Sequence, residues 1–199
     1  MTYQSGNWYT AAGLTVPGTY YVIAYDNVGN RSAAPIEVNN IDRIPPTMGA
    51  AAIAPAGWNS AASYTITVPS VTDTGGSGVA GVEYSTDSSF ATGVANMTLA
   101  GDNASATVTP PEGSTTYYIR AKDGAGNVSQ TQSVSAQRDS TIPVVGSAVQ
   151  SPGAGVWAPE KKITADVTDA GGSGLRRVWY SDSASDPAAF VGTLTHMDG

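Results

Sequence analysis

The chain has 199 residues, of which 41% are hydrophobic and only 13% are charged, about half the usual charged share. Cysteine is absent, which excludes disulfides and thiolate metal sites, and a single histidine argues against a His-rich zinc site or a Ser-His-Asp triad. With 16 acidic and 9 basic residues the net charge is −7, which disfavours nucleic acid as a partner and favours cations. The sequence contains no apolar run long enough to span a membrane.

The predicted elements are short strands. In chain order, segments 64–68 and 80–84 alternate apolar and polar residues, and in segment 116–122 Tyr117, Ile119 and Ala121 share the parity expected to face a core. Clusters of Pro, Gly, Asn and Asp interrupt the strands roughly every 8–12 residues, and no segment keeps a helical period. This pattern is typical of an antiparallel β-sandwich.

Three blocks recur at a spacing of about 97 residues, which is the size of a domain. Residues 20–32 match 117–129, residues 71–79 match 167–175, and residues 42–45 match 140–143. The positions of these matching blocks along the chain predict an all-β chain of tandem antiparallel sandwiches, one complete and two partial. A complete repeat occupies 44–138 (the central repeat), the C-terminal part of a repeat occupies 1–43 (the N-terminal portion), and the N-terminal part of a repeat occupies 139–199 (the C-terminal portion).

The blocks carry three motifs. An Asp-x-x-x-Pro start lies at 139–143, a Gly-Ser-Gly-Val-x-x-Val-x-Tyr-Ser stretch at 76–85, and a Tyr-x-Val/Ile-x-Ala-x-Asp-x-x-Gly-Asn-x-Ser ending at 20–32 and 117–129. In these motifs the chain resembles the bacterial immunoglobulin-like (fibronectin III-like) tandem repeats of secreted and cell-surface proteins. The C-terminal portion departs from the pattern at residues 175–177. The resemblance implies Ig-like sandwiches and an extracellular or cell-surface location.

The resemblance also implies that polar loop residues meet at the end where the chain enters each sandwich. They are Asp42, Asp73, Asp123 and Asn127 in the central repeat, and Asp139 and Asp169 at the start of the next. Oxygen ligands of this kind suit calcium, which several Ig-like families hold at domain junctions, so calcium is a candidate cofactor. The preferred alternative is turn chemistry, in which Asp and Asn side chains bind nearby backbone groups.

Aromatic residues supply the other candidates. Trp179, beside Arg177, has the strand parity of an exposed residue and resembles an interface hot spot or a sugar-stacking platform. The preferred interpretation is that the remainder of its repeat, or a neighbouring domain, covers it. Tyr20 and Tyr117 occupy the place of a tyrosine corner, and Trp58 and Trp157 are both expected in the core or at its rim.

Catalysis has little support. The stretch 75–79 lacks the last glycine of a nucleophile elbow, and neither a Walker motif nor a dinucleotide fingerprint occurs. We therefore predict that the chain is not an enzyme but a structural spacer of a bacterial surface protein or adhesin. Its expected partners are neighbouring Ig-like repeats or copies of itself. The preferred interpretation of the two partial repeats is that the chain is an arbitrary stretch of a longer repetitive protein; the alternative is that copies complete each other head to tail in an open filament. The alternative is an accessory carbohydrate- or protein-binding module of a secreted enzyme, with a glycan or host-surface ligand.

Overall fold

The computed structural model describes residues 2–3, 9–180 and 192–193, and in these residues the chain is all-β without a helix. Accordingly, no helix in the described ranges could cross a membrane. The first strands are β1 (Thr2–Tyr3), β2 (Tyr9–Thr10), β3 (Gly18–Tyr25) and β4 (Arg31–Val38). The central repeat contains β5 (Ala52–Ala54), β6 (Trp58–Asn59), β7 (Tyr64–Val68), β8 (Val79–Ser85), β9 (Ala95–Asn96), β10 (Thr98–Ala100), β11 (Asn103–Val108), β12 (Gly113–Asp123) and β13 (Gln132–Arg138). The last strands are β14 (Val144–Ser151), β15 (Lys162–Thr168), β16 (Trp179–Tyr180) and β17 (Gly192–Thr193).

The strands of the central repeat form two sheets. One has the order β10-β11-β7-β5 and the other the order β6-β13-β12-β8-β9. In the second sheet β12 and β8 are antiparallel, with Ile119 opposite Tyr84 and Arg120 opposite Glu83. The other described strands form two-stranded sheets that pair β1 with β2, β3 with β4, β14 with β15, and β16 with β17.

Alternation of side chains gives each central sheet one buried face. In β7, Tyr64, Ile66 and Val68 are buried while the residues between them are exposed. In β12, Ile119 and Ala121 are fully buried, as their parity predicted. The structure therefore confirms the all-β prediction and is consistent with a β-sandwich, while the Ig-like tandem arrangement stays a prediction.

Contacts between Cα atoms divide the chain into two compact units. One comprises Met1–Ala52, Ile66–Ala106 and Tyr117–Val134, and the other comprises Ile53–Thr65, Thr107–Thr116 and Ser135–Gly199. The boundaries 1–43, 44–138 and 139–199 remain a prediction. Both outer portions include residues outside the described ranges, namely 1, 4–8, 181–191 and 194–199.

Candidate functional site

Four of the predicted loop residues meet in the structure. A carboxylate oxygen from each of Asp42, Asp73 and Asp123 lies within 4.8 Å of the other two. The Asn127 side-chain amide donates to the backbone oxygen of Asp42 at 3.2 Å and to Asp123 Oδ2 at 2.7 Å. We call these four residues the junction cluster. They come from the linker before the central repeat, the loop after β7 and the turn after β12.

Asp42 fastens the linker to the loop that follows β7. Its Oδ1 accepts the Ile44 N–H at 2.9 Å, and its Oδ2 accepts the Ser77 N–H at 2.9 Å. Hydrogen bonding by the Ser77 side chain, followed by the Ile44 backbone, lowers the pKa of Asp42. A Cβ on Gly75 would overlap the Asp42 carboxylate, so the close approach requires glycine at that position.

Asp73 closes the same loop from its other end. Its Oδ1 accepts the Gly75 N–H at 3.1 Å and its Oδ2 the Gly78 N–H at 2.8 Å. Gly76 and Gly78 have φ angles of +103° and +73°, in the region that favours glycine. The Gly-Gly-Ser-Gly sequence thus combines one close approach with two left-handed residues.

Asp123 builds the turn that follows β12. Its Oδ1 accepts the N–H groups of Ala125 at 3.0 Å and Asn127 at 2.7 Å. Asp26 makes the same turn in the N-terminal portion, where it accepts the Val28 N–H at 3.0 Å, the Asn30 N–H at 2.8 Å and the Asn30 side-chain amide at 2.6 Å. The recurring Asp-x-x-Gly-Asn motif therefore encodes one closed turn.

The linker contact of Asp42 is repeated at the start of the C-terminal portion. Asp139 accepts the Thr141 N–H at 3.1 Å and the Ser173 N–H at 2.9 Å, and hydrogen bonding by Ser173 lowers its pKa. A Cβ on Gly171 would overlap Asp139, and Asp169 accepts the Gly171 N–H at 3.4 Å. We call the Asp42 and Asp139 arrangements the linker clamps.

Hydrogen bonds within turns and between loops account for the junction cluster. Every carboxylate oxygen of Asp42, Asp73 and Asp123 accepts at least one hydrogen bond from the protein. The oxygen donor set is of the type calcium takes, but nothing in the arrangement requires an ion. Turn chemistry explains the geometry, and calcium at these six residues, including Asp139 and Asp169, stays a prediction.

Trp179 and Arg177 lie at an open groove of about 590 Å³ in the C-terminal portion. The Arg177 guanidinium carbon is 5.6 Å from the centre of the Trp179 ring, within the range of a cation–π contact. Apolar groove walls come from Val145, Val167, Leu175 and Val178. Trp179 is 38% exposed, so its surface is only partly covered within one chain.

Two other aromatic expectations have different outcomes. The hydroxyl of Tyr20 donates to the Val16 backbone oxygen at 2.8 Å, as a tyrosine corner requires. Trp157 is 99% exposed, so its expected place in the core or at its rim was wrong. Its counterpart Trp58 lies against Gly172, where a Cβ would approach Trp58 Cη2 to 2.7 Å.

Two charged groups in the structure were not predicted from the sequence. Glu83 on β8 is 8% exposed and binds Arg120, 2.5 Å from Nη2, and Lys122, 2.9 Å from Nζ. Asp87 accepts the Ser89 N–H at 2.9 Å and the Ser89 hydroxyl at 2.7 Å, and its Oδ2 accepts the N–H groups of Ala91 and Thr92. The opposite charges on β8 and β12 could have predicted the ion pairs of Glu83, but only if the register between the two strands had been known.

Comparison with protein-family models and with curated proteins finds no match for this chain. The resemblance to bacterial Ig-like repeats therefore rests on the motifs themselves.

Proposed function

We propose that this chain is a non-catalytic spacer of a bacterial surface protein or adhesin, in which Ig-like sandwiches hold another part of that protein away from the cell surface. The observation that carries the proposal is the repetition of the linker clamp. Asp42 with Gly75 and Ser77, and Asp139 with Gly171 and Ser173, make the same contacts in two places. A device that fixes each linker to the loop beyond it suits a chain that must position successive repeats.

The use of the acidic residues supports the same function. The side chains of Asp26, Asp73, Asp87 and Asp123 accept hydrogen bonds from the backbone of their own turns. Such carboxylates stabilise loops, because each satisfies donors that the turn would otherwise leave to water. With a net charge of −7 the surface is also soluble and self-repelling, as a stalk in an extracellular setting requires.

Surface display tests the spacer function. The chain is inserted between a bacterial surface anchor and an epitope tag, and labelling by a bulky antibody conjugate is compared with a fusion lacking the chain. The proposal expects stronger labelling with the chain present. Equal labelling of the two fusions would contradict it.

An accessory binding module is the second candidate, favoured by Trp179 and Arg177 beside the apolar groove. A glycan microarray separates the two functions. Binding that is lost in Trp179→Ala and kept in Trp157→Ala, a matched change at another exposed tryptophan, would establish the module and displace the spacer. If the chain is a spacer, the wild-type chain and both variants should bind no glycan.

A further inference from the structure

The linker between β13 and β14, residues 139–143, is bound to the repeat before it as well as to the loop after it. β13 pairs in parallel with β6, and Arg138 at its end lies opposite Asn59. The Asp139 N–H continues this pairing beyond β13, because it donates to the Asn59 backbone oxygen at 2.9 Å. The Asp139 carboxylate accepts the Ser173 N–H, also at 2.9 Å. One residue therefore bonds to both sides of the linker, through its backbone to the central repeat and through its side chain to the C-terminal portion.

Glu112, in the loop between β11 and β12, binds the next linker residue. Its Oε2 accepts the Ser140 N–H at 2.9 Å, and its Oε1 accepts the Ser140 hydroxyl. Arg138 Nη1 lies 3.4 Å from Glu112 Oε1 and donates to the Pro110 backbone oxygen at 3.3 Å, while Nη2 donates to the Ser140 hydroxyl oxygen at 3.3 Å. Two successive N–H groups of the linker, at positions 139 and 140, thus bond to the central repeat rather than to water.

Trp58 on β6 makes a direct contact with the loop after β15. Its ring edge lies against Gly172, where a Cβ would come within 2.7 Å of Trp58 Cη2. The φ of Gly172 is +103°, so this position favours glycine for its backbone conformation as well as for its space. Because no side chain lies between the ring and the loop backbone, rotation at the linker would separate the two surfaces and lose their van der Waals contacts.

The compact units of the chain agree with these contacts. One unit contains residues 53–65, 107–116 and 135–199, and therefore includes every residue of the contacts just described. A flexible boundary between domains is crossed by few contacts. Here the division of the chain by contacts does not fall at the boundary between residues 138 and 139 that the repeats predict, so the end of the central repeat and the start of the C-terminal portion are packed as parts of one body.

We propose that the end of the central repeat is an interaction surface for the start of the C-terminal portion, and that residues 139–143 form a rigid joint and not a hinge. The joint surface consists of Trp58, Asn59, Glu112 and Arg138. It binds the linker and the glycine-rich loop 171–173. Relative motion is the ordinary expectation for tandem domains, whereas a joint of this kind keeps the direction of a stalk from one repeat to the next. This inference rests on the proposed function, because stiffness serves a chain that holds another part of its protein at a distance.

Distances between spin labels test the rigidity, since the chain has no cysteine of its own and labels attach only to introduced ones. Thr107→Cys on β11 and Thr168→Cys on β15 are exposed positions, one in the central repeat and one in the C-terminal portion. Double electron–electron resonance on the full chain is expected to give one narrow distance distribution. Its width should match that of Thr107→Cys with Ser135→Cys, two exposed positions within the central repeat. A distribution clearly broader than this reference would overturn the proposal.

Gly172→Ala tests the tryptophan contact in the same labelled chain. Its Cβ would collide with the Trp58 ring and is expected to broaden or shift the distance distribution. Gly76→Ala is the matched control, because Gly76 has the same φ of +103° and no atom within 4 Å of an added Cβ. The control carries the same backbone strain without the collision, so equal distributions in the two variants would contradict the role of Trp58.

Glu112→Ala tests the hydrogen bonds to the linker. It removes the acceptor of both Ser140 donors, and it is expected to broaden the distance distribution and to abolish the protection of the Ser140 N–H from hydrogen exchange. Glu160→Ala, an exposed change outside the joint surface, should alter neither measurement. Circular dichroism checks that each variant keeps its β signal. A folded Glu112→Ala chain with an unchanged distribution and unchanged protection would overturn the joint.

Failure of this inference differs from failure of the proposed function. A broad distance distribution in a chain that still increases antibody labelling in surface display would remove the rigid joint and leave the spacer. A narrow distribution in a chain that does not increase labelling would remove the spacer and leave the rigid joint.

Discussion

At the residue scale, a single glycine in each linker clamp determines how close the linker aspartate comes to the backbone of the neighbouring loop. Gly75 allows the Asp42 carboxylate to reach the loop backbone, and Gly171 does the same for Asp139. Neither glycine has a positive φ, unlike Gly76 and Gly172 beside them. These two positions therefore require glycine because a Cβ would have no space there, and not because of their backbone conformation.

A double-mutant cycle tests this role of Gly75. Gly75→Ala is expected to lower the free energy of unfolding, because its Cβ would displace Asp42. In an Asp42→Ala background the same change should be neutral or stabilising by about 0.4–1 kcal/mol, because alanine leaves the unfolded chain fewer conformations than glycine does. Urea denaturation measures both. Gly81→Ala, where a Cβ meets no atom within 4 Å, is the control, and equal destabilisation in both backgrounds would disprove the clamp.

Asp87 makes the stability of its loop depend on pH. Hydrogen bonds, chiefly from the Ser89 hydroxyl, lower the pKa of Asp87 to about 2 from its ordinary 3.8. Because the folded pKa is the lower one, its contribution is complete above pH 3.8 and is lost as the pH falls towards 2. NMR titration of the Asp87 carboxyl carbon should show the low pKa in wild type and a higher one in Ser89→Ala. Ser88→Ala should leave it unchanged, and an ordinary pKa in wild type would refute the loop geometry.

At the element scale, strand neighbours decide which segments become strands. Residues 79–82 and 175–178 hold equivalent positions in the sequence matches, yet the first four lie in β8 and the second four are not in a strand. β8 pairs with β12 and β9, and β16 pairs with β17. Period-two alternation predicts the face of a strand, but whether a segment forms a strand also depends on ladder hydrogen bonds to its neighbours.

The ion pairs between β8 and β12 should stabilise the central sheet. Burial opposes ionisation of Glu83, but hydrogen bonds and charge from Lys122 and Arg120 outweigh it and lower its pKa. Glu83→Gln is expected to cost about 1–3 kcal/mol of unfolding free energy, since both cations lose a charged acceptor. The loss should be largest above pH 4.5 and should shrink as the pH falls below it, where Glu83 itself becomes protonated.

Urea denaturation at two pH values measures this contribution. Glu37→Gln, on exposed β4, is the matched control and should change stability little. Equal effects at the two positions would show that the Glu83 pairs add nothing beyond a surface charge.

At the scale of the whole molecule, calcium binding would appear as a change in thermal stability. Three carboxylates within 4.8 Å repel one another, and a divalent ion would relieve that repulsion. Since the cluster exists only in the folded chain, calcium at 100 times its Kd should add about 2.7 kcal/mol and raise the melting midpoint. Asp73→Asn should abolish the shift. The same midpoint in calcium and in chelator would leave turn hydrogen bonds as the role of the cluster.

Much of the local structure could be predicted from the sequence. Alternation gave the buried faces of β7 and β12, and the repeated Asp and Gly positions gave turns that close in the same way at Asp26 and Asp123. Motif resemblance placed Asp42, Asp73, Asp123 and Asn127 at one end of the repeat, where the structure has them together. Each of these features depends on a few neighbouring residues or on a spacing that recurs along the chain.

Only the tertiary structure decided which residues touch across long separations. It set the approach of Gly75 to Asp42, the burial of Glu83 between Arg120 and Lys122, and the exposure of Trp157. Trp58 and Trp157 hold equivalent sequence positions, but one lies against Gly172 and the other in solvent. The physical reason is that burial depends on what lies across the gap, whereas propensity and alternation describe only the strand that carries the residue.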